Sequence, residues 1–313
     1  MKERVLQNGR LLPALEAALA ARYDVHPLWR EADPQAFLAA HGGEFAGYIA
    51  SARLGIAADM LAALPNLRVV SIVGVGLDAV DLGATRARGV AVGYTPQVLN
   101  DCVADTAMLL LLDVVRRGSE ADRFVRRGGW TESKAFPFGT SVTGKRLGIL
   151  GLGRIGRAIA RRCAGFDMEI RYHNRRPVAD VPYAYEASLA ELARWADFLV
   201  VAAAGGQESR NLVSAEILDA LGPRGFLVNI ARGSVVDEAA LVAALSEGRL
   251  GGAGLDVYAD EPNVPEALLK LDNTVLLPHM SSATHETRKA MADLALANLG
   301  AFFESGAVKV SAF

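Results

Sequence analysis

The stretch Leu147-Gly148-Ile149-Leu150-Gly151-Leu152-Gly153-Arg154-Ile155-Gly156-Arg157-Ala158 sets the pattern G-x-G-x-x-G between an apolar run and a helical one. The pattern alone is a weak signal, and the flanking strand and helix supply the context it needs. Gly151 permits a tight turn, Gly153 lets the backbone approach a pyrophosphate, and Gly156 lets the helix pack close on the strand. The following helix would aim its free N–H groups at the phosphates. The spacing predicts a strand over 145–150, a helix over 155–163, and between them a dinucleotide-binding turn with Gly151, Leu152, Gly153, Arg154, Ile155 and Gly156 as its contacts.

At 313 residues the chain exceeds what one core usually fills, and a prior of ~100–200 residues per domain points to two domains with a cleft. Lys and Arg total 33 against 35 Asp and Glu, so no excess of positive charge argues for nucleic acid or an anionic membrane surface. The expected partner is a small molecule. Cys102 and Cys163 are the two cysteines; both sit in helical apolar patterns and read as reduced core thiols of a cytoplasmic protein. Met1-Lys2-Glu3-Arg4 is not followed by an unbroken apolar stretch, because Glu16 and Arg22 interrupt it, and Ala107 to Leu112 is too short to span a bilayer. No two histidines or cysteines have metal-ligand spacing.

Apolar runs alternating with helical patterns predict an α/β fold of two doubly wound domains. The first has strand candidates at Val5–Gln7, Val25–Leu28, Gly47–Ala50, Val69–Val73 and Val90–Gly93. Asp33-Pro34 reads as an N-cap and first-turn proline, and Asp81 opens a helix that Gly89 closes. One long helix is expected over 100–127, then an irregular arm over 128–144. A second block has strands at Arg146–Leu150, Glu169–Tyr172, Phe198–Ala202, Phe226–Ile230, Gly252–Leu255 and Thr274–Leu277, matching a Rossmann dinucleotide-binding domain. Asp237 and Gly248 bracket the helix after its fourth strand. The final helix, over 285–303, is expected to return to the first domain. The boundaries follow: a discontinuous, flavodoxin-like substrate domain over 1–98 plus 286–313, and a dinucleotide-binding domain over 99–285.

Ligands of open α/β sheets bind at the carboxyl ends of strands. Beyond three adjacent ends lie Asn229-Ile230-Ala231-Arg232-Gly233, then Asp256-Val257-Tyr258-Ala259-Asp260-Glu261-Pro262, then Pro278-His279-Met280-Ser281-Ser282. An arginine clamps a carboxylate with paired donors, and a histidine held by a carboxylate can hand a proton to a carbonyl oxygen. Singly, Arg232 could cap a turn, Glu261 could be a solvated loop acid and His279 could satisfy a local carbonyl. Together at three neighbouring strand ends they favour catalysis.

At these residues the chain resembles the D-isomer-specific 2-hydroxyacid dehydrogenase family. The segments Asn229 to Glu238, Gly254 to Tyr258 with Asp260-Glu261-Pro262, and Leu277-Pro278-His279 carry the likeness. Runs such as Leu221-Gly222-Pro223 and His285 to Leu294 resemble its glyoxylate, hydroxypyruvate and hydroxyphenylpyruvate reductases. The resemblance implies reduction of a 2-oxoacid to a D-2-hydroxy acid by a homodimer, with Arg232, Glu261 and His279 as catalytic residues. It implies cofactor contacts that extend to Ala203, Ile230, Ala231, Arg232, Asp256, His279 and Ser281. The Gly-rich turn Val73-Gly74-Val75-Gly76 sits where such enzymes hold the substrate carboxylate on backbone N–H groups, with Arg232 and His279 completing the substrate contacts. The arginine that many relatives carry near this loop is missing here. Consecutive N–H groups can bind an anion without it, and a plain tight turn is the other reading.

NAD users place an Asp or Glu ~20 residues after the glycines, on the ribose hydroxyls. Here that place reads Tyr172-His173-Asn174-Arg175-Arg176-Pro177, with no carboxylate and two arginines. A 2′-phosphate wants guanidinium donors, so Asn174, Arg175 and Arg176 point to NADPH, with NAD the weaker alternative; an exposed basic turn is the bland reading. The sequence therefore points to an NADPH-dependent reductase of glyoxylate or hydroxypyruvate. Reduction of bulkier oxoacids, hydroxyphenylpyruvate or 2-ketogluconate, is the same-class alternative. A non-catalytic, cofactor-sensing regulator and, less well supported, a methyltransferase are the rivals of other classes.

Overall fold

The structure, a computed structural model, describes residues 2–132 and 134–313. Met1 and Ser133, the latter within the arm expected over 128–144, lie outside the described residues. The chain divides into two compact units, Met1–Leu99 with Ala283–Phe313, and Asn100–Ser282.

In the first unit, strands β1 (Arg4–Asn8), β2 (Asp24–Pro27), β3 (Gly47–Ser51), β4 (Val69–Val73) and β5 (Ala91–Gly93) form one parallel sheet in the order β2-β1-β3-β4-β5. That is the flavodoxin-like order. Successive strand residues face opposite ways, so each strand feeds two cores. Leu6, Tyr48, Ala50, Val70 and Ile72 enter one, while Val5, Ile49 and Val69 enter the other, which Ala292, Ala295 and Leu299 of helix His285–Ser305 cover. The expected caps form, since the carboxylates of Asp33 and Asp81 accept from Ala36 N and Ala84 N.

In the second unit, β6 (Arg146–Leu150), β7 (Glu169–His173), β8 (Ala184–Tyr185), β9 (Phe198–Val201), β10 (Phe226–Asn229), β11 (Gly252–Leu255) and β12 (Thr274–Leu276) are all parallel, in the order β12-β11-β10-β9-β6-β7-β8. The reversal at β6 and β9 makes the crevice at which doubly wound sheets bind their ligands. Asp237 caps its helix through Ala240 N, 3.0 Å.

Three sequence expectations change. The single helix over 100–127 breaks into Asn100–Arg116 and Gly118–Arg126, because Arg117 adopts φ 58° and the Asp113 carboxylate takes the N–H of Ser119 at 2.6 Å. A side-chain acceptor there competes with the helical ladder. β8 was not foreseen, since two residues carry no periodicity. Ala202, Ile230 and Leu277 lie one residue beyond their strands, yet each still donates its N–H to the neighbouring strand, to Leu150 O, Val201 O and Leu255 O.

Candidate active site

The glycine turn is built as its spacing requires. A Cβ on Gly151, whose φ is 100°, would lie 2.5 Å from Ala203 N, and one on Gly156 would lie 2.3 Å from Gly151 O. Both positions admit only hydrogen. A Cβ on Gly153 would meet nothing within 4 Å, so the space above it stands open where a phosphate must approach. Gly153 is also the N-cap of helix Arg154–Ala164 and has no side-chain cap. The N–H groups of the first turn therefore remain for an anion. These residues fit a dinucleotide.

After β7, the Asn174 Oδ1 accepts from Leu152 N at 2.7 Å, and Tyr185 Oη donates to Asn174 O at 3.1 Å. Asn174, expected on the ribose through its side chain, thus has its oxygen committed to the glycine turn, which leaves only its amide N–H groups for a ligand. Arg175 and Arg176 are exposed, and Arg175 forms an ion pair with Glu208.

The turn after β10 is clamped by a residue that sequence reasoning did not single out. Asn229, 1% exposed, accepts from Ala231 N through Oδ1 and donates from Nδ2 to Arg232 O, both at 3.0 Å. That closes the turn and fixes where Arg232 leaves the backbone. Ile230 and Ala231 are buried in the turn, and Ala203, beyond β9, is half-buried beside Gly151.

After β11 and β12 the polar groups organise one another. His279 Nδ1 stands 2.6 Å from Glu261 Oε2, while Glu261 Oε1 accepts from Tyr258 N at 3.2 Å. With one oxygen held by backbone and the other by the ring, Glu261 orients the imidazole and leaves Nε2 as its outward nitrogen. His279 itself takes φ 52°, a left-handed conformation that costs a non-glycine residue about 1–2 kcal/mol. Asp256 holds it there, because this fully buried carboxylate accepts from Met280 N at 2.7 Å and Ser281 N at 3.0 Å. Asp256, expected among the cofactor contacts, uses both oxygens to hold this turn and so positions His279 and Ser281. Ser281 is buried too, its carbonyl accepting from Cys102 Sγ. Burial, then the nearby charges of Asp256, Glu261 and Glu238, push the Tyr258 phenol up to about 12. It therefore stays protonated and donates to Leu277 O at 2.9 Å.

In the first unit, the Val73–Gly76 turn is partly spent on structure. Gly74 N donates to the fully buried Thr95 Oγ1 at 2.8 Å, and Gly74 O accepts from Thr95 N. The expectation that Gly74 offers its N–H to a substrate is corrected accordingly. The N–H groups of Val75 and Gly76 make no backbone hydrogen bond among the described residues. Neither a metal-binding cluster nor a helix long and apolar enough to cross a membrane occurs among the described residues.

Comparison with known proteins agrees with this geometry. The NAD binding domain of D-isomer specific 2-hydroxyacid dehydrogenases matches residues 108–281, and the catalytic domain of that family matches residues 13–150. The chain is 47% identical over 289 residues to hydroxyphenylpyruvate reductase of Plectranthus scutellarioides, covering 92% of each. It is 45% identical to glyoxylate/hydroxypyruvate reductase A of Arabidopsis thaliana, again over 92% of each. The crystal structure of the NADPH-dependent glyoxylate/hydroxypyruvate reductase of Sinorhizobium meliloti, in complex with NADP and malonate, superposes with a TM-score of 0.94. Identity there is 41%, covering 99% of this chain and 97% of that one. With a glycine turn open to phosphate, a Glu261–His279 pair on the same sheet and likeness along nearly its whole length, the chain belongs to the D-isomer specific 2-hydroxyacid dehydrogenase family, oxidoreductases that act on CH–OH groups.

Proposed function

We propose that this protein reduces small 2-oxoacids, glyoxylate or hydroxypyruvate, to D-2-hydroxy acids with NADPH. The observation that carries the reading is the Glu261–His279 pair, held at 2.6 Å beyond the strands of the sheet that bears the glycine turn. Gly151 to Gly156 and the first turn of helix Arg154–Ala164 would hold the pyrophosphate, with Arg175 and Arg176 at the 2′-phosphate and Ala203, Ile230, Ala231 and Ser281 lining the remainder. When bound, the dihydronicotinamide supplies the hydride. Arg232 takes the substrate carboxylate. His279 donates its Nε2 proton to the carbonyl oxygen, and Glu261, against Nδ1, orients the ring. Each turnover consumes one hydride and one proton.

A panel of 2-oxoacids assayed with NADPH and with NADH tests the reading. Hydroxypyruvate and glyoxylate with NADPH are expected to give the highest kcat/KM. Equal efficiency with a neutral ketone would remove the carboxylate clamp, and equal use of NADH would remove the arginine reading. The 47% identity to a hydroxyphenylpyruvate reductase favours one second reading, a bulkier oxoacid, which the same panel separates.

We further propose that the protein works in the cytoplasm as a homodimer. Cys163 forms no disulfide among the described residues, and burial pushes its thiol up to about 12, which suits a reducing compartment. The second unit exposes Leu109, Val125, Trp130 at 76% and Phe138 at 100% on the two helices and the arm. Their exposure supports this reading. Sedimentation equilibrium checks this, and a monomer at micromolar concentration would count against it.

A further inference from the structure

The Arg175–Glu208 ion pair lies in an unexpected place. Arg175 follows β7, and Glu208 sits on the short turn Gln207–Ser209 that follows β9. In the sheet these strands are not neighbours, because β6 runs between them. The two loops can meet only across the end of β6, over the glycine turn from which a dinucleotide's phosphates depart. On the Arg175 side the backbone is anchored by the Asn174 contacts with Leu152 N and Tyr185 Oη. On the Glu208 side the turn begins at Gly206, φ 135°, where a Cβ would meet nothing within 4 Å. Ser209 N and Oγ both return to Gly206 O, so Glu208 rides on a small closed turn behind a glycine. Both charged side chains are mostly exposed, 86% and 76%, and Arg176 beside them makes no ion pair among the described residues.

We propose that Glu208 is a specificity-determining residue, an internal anion that occupies Arg175 until a cofactor 2′-phosphate replaces it. The inference rests on the reading that Arg175 takes that phosphate. Its logic is exchange. A carboxylate and a phosphate compete for the same guanidinium donors, so the phosphate gains Arg175 only by releasing Glu208, and the preference for the phosphorylated cofactor is blunted. Exchange of one ion pair for another also changes the number of exposed ion pairs little, so binding of the phosphate should respond weakly to salt. Without the carboxylate, binding creates a pair, and screening acts in full.

The test uses the whole protein, calorimetry, and two adenosine probes, adenosine 2′,5′-bisphosphate and adenosine 5′-phosphate. Glu208→Gln is expected to tighten the bisphosphate about three- to fivefold, the upper part of the range an exposed ion pair commands. The same variant should leave the monophosphate unchanged and make bisphosphate affinity fall more steeply with salt than in the wild type. Unchanged or weaker bisphosphate binding, or an equal gain for both probes, would overturn the proposal. Arg175→Ala separates the two levels. If that variant binds both probes as the wild type does, the cofactor reading fails; if it loses only the bisphosphate while Glu208→Gln changes nothing, the reading stands and the role of Glu208 falls.

Discussion

After β10, β11 and β12 the polar side chains that shape the site are held by partners. Asn229 clamps the Arg232 turn, Asp256 fixes the backbone around His279, and Tyr258 N holds the Glu261 oxygen that does not face the ring. After β7 and β9, on the same sheet, the arginines stand in solvent and the Arg175–Glu208 ion pair joins two exposed side chains. The first region is preorganised, so its contribution is spent on geometry before substrate arrives. The second is adjustable, and its contribution is electrostatic, screened and small per contact. Substitutions in the two regions should therefore differ in size, in what they alter and in their response to salt.

The largest effect is expected at His279. His279→Ala removes the proposed proton donor, a loss of ~10²–10⁴ in kcat, and leaves cofactor affinity near that of the wild type. Single-turnover reduction with NADPH, read by absorbance, checks it. Turnover within a few-fold of the wild type would break the comparison at its stronger end.

Asp256→Asn probes the preorganisation itself. The wild-type carboxylate accepts from two backbone N–H groups, whereas the amide offers one acceptor and turns an NH₂ group toward the other donor. Leaving a buried donor unmet costs about 1–3 kcal/mol. The expected signature is a lowered melting temperature together with a fall in kcat for hydroxypyruvate, as the left-handed His279 loses its support. A variant that loses stability and keeps kcat would show that the loop holds itself.

Legibility of the sequence divides along the same line. The glycine turn, the strand order of a doubly wound sheet, and Glu261 with His279 were readable because each depends on residue types at fixed spacing, and spacing survives in one dimension. The clamps were not. Asn229 lies inside a quoted motif, yet nothing in its spacing says that its amide closes the next turn. The resemblance places Asp256 among the cofactor contacts, and only the fold shows that its buried carboxylate also holds the N–H groups of Met280 and Ser281. Gly74 looked like a free donor until Thr95, a distant residue in sequence, took its N–H. The break at Arg117 has a local cause in Asp113, but a helical pattern continues on both sides and hides it. The arginines after β7 were legible by the absence of an acid, whereas the partner of Arg175, Glu208, belongs to another loop and leaves no trace in local pattern.

At the adjustable end, Arg175→Ala is expected to weaken NADPH about tenfold, the low end for a charged hydrogen bond because the side chain is exposed, and to change NADH little. Raising salt should shrink the NADPH advantage of the wild type only weakly, because the 2′-phosphate replaces Glu208 at Arg175 rather than adding an ion pair. Fluorescence titration of both cofactors at two ionic strengths checks it, and an equal loss for both would assign the arginine to general packing of the loop.

The smallest effect belongs to an ion pair outside both regions, which makes it the control. Asp197 precedes β9 at the amino end of the sheet, and its carboxylate meets Arg146 three times: Oδ2 accepts from Arg146 N at 3.0 Å and Nε at 3.1 Å, and Oδ1 from Nη2 at 2.9 Å. Burial works to raise its pKa, but the side-chain and backbone hydrogen bonds of Arg146 outweigh burial and hold it below the ordinary carboxylate value. A carboxylate with a lowered folded-state pKa contributes stability that is present above its unfolded value, about 3.9, and disappears as pH falls through the lower folded value. Because the arginine side chain is 45% exposed, Asp197→Asn should cost about 0.5–1 kcal/mol near neutrality, after discounting for solvent screening. The melting-temperature gap between wild type and variant should hold from pH 7 to 5 and close below about pH 4. Values of kcat and KM should not move at any of these pH values. If they did, good ion-pair geometry anywhere on this sheet would reach the chemistry, and the contrast between its preorganised and adjustable ends would lose its meaning.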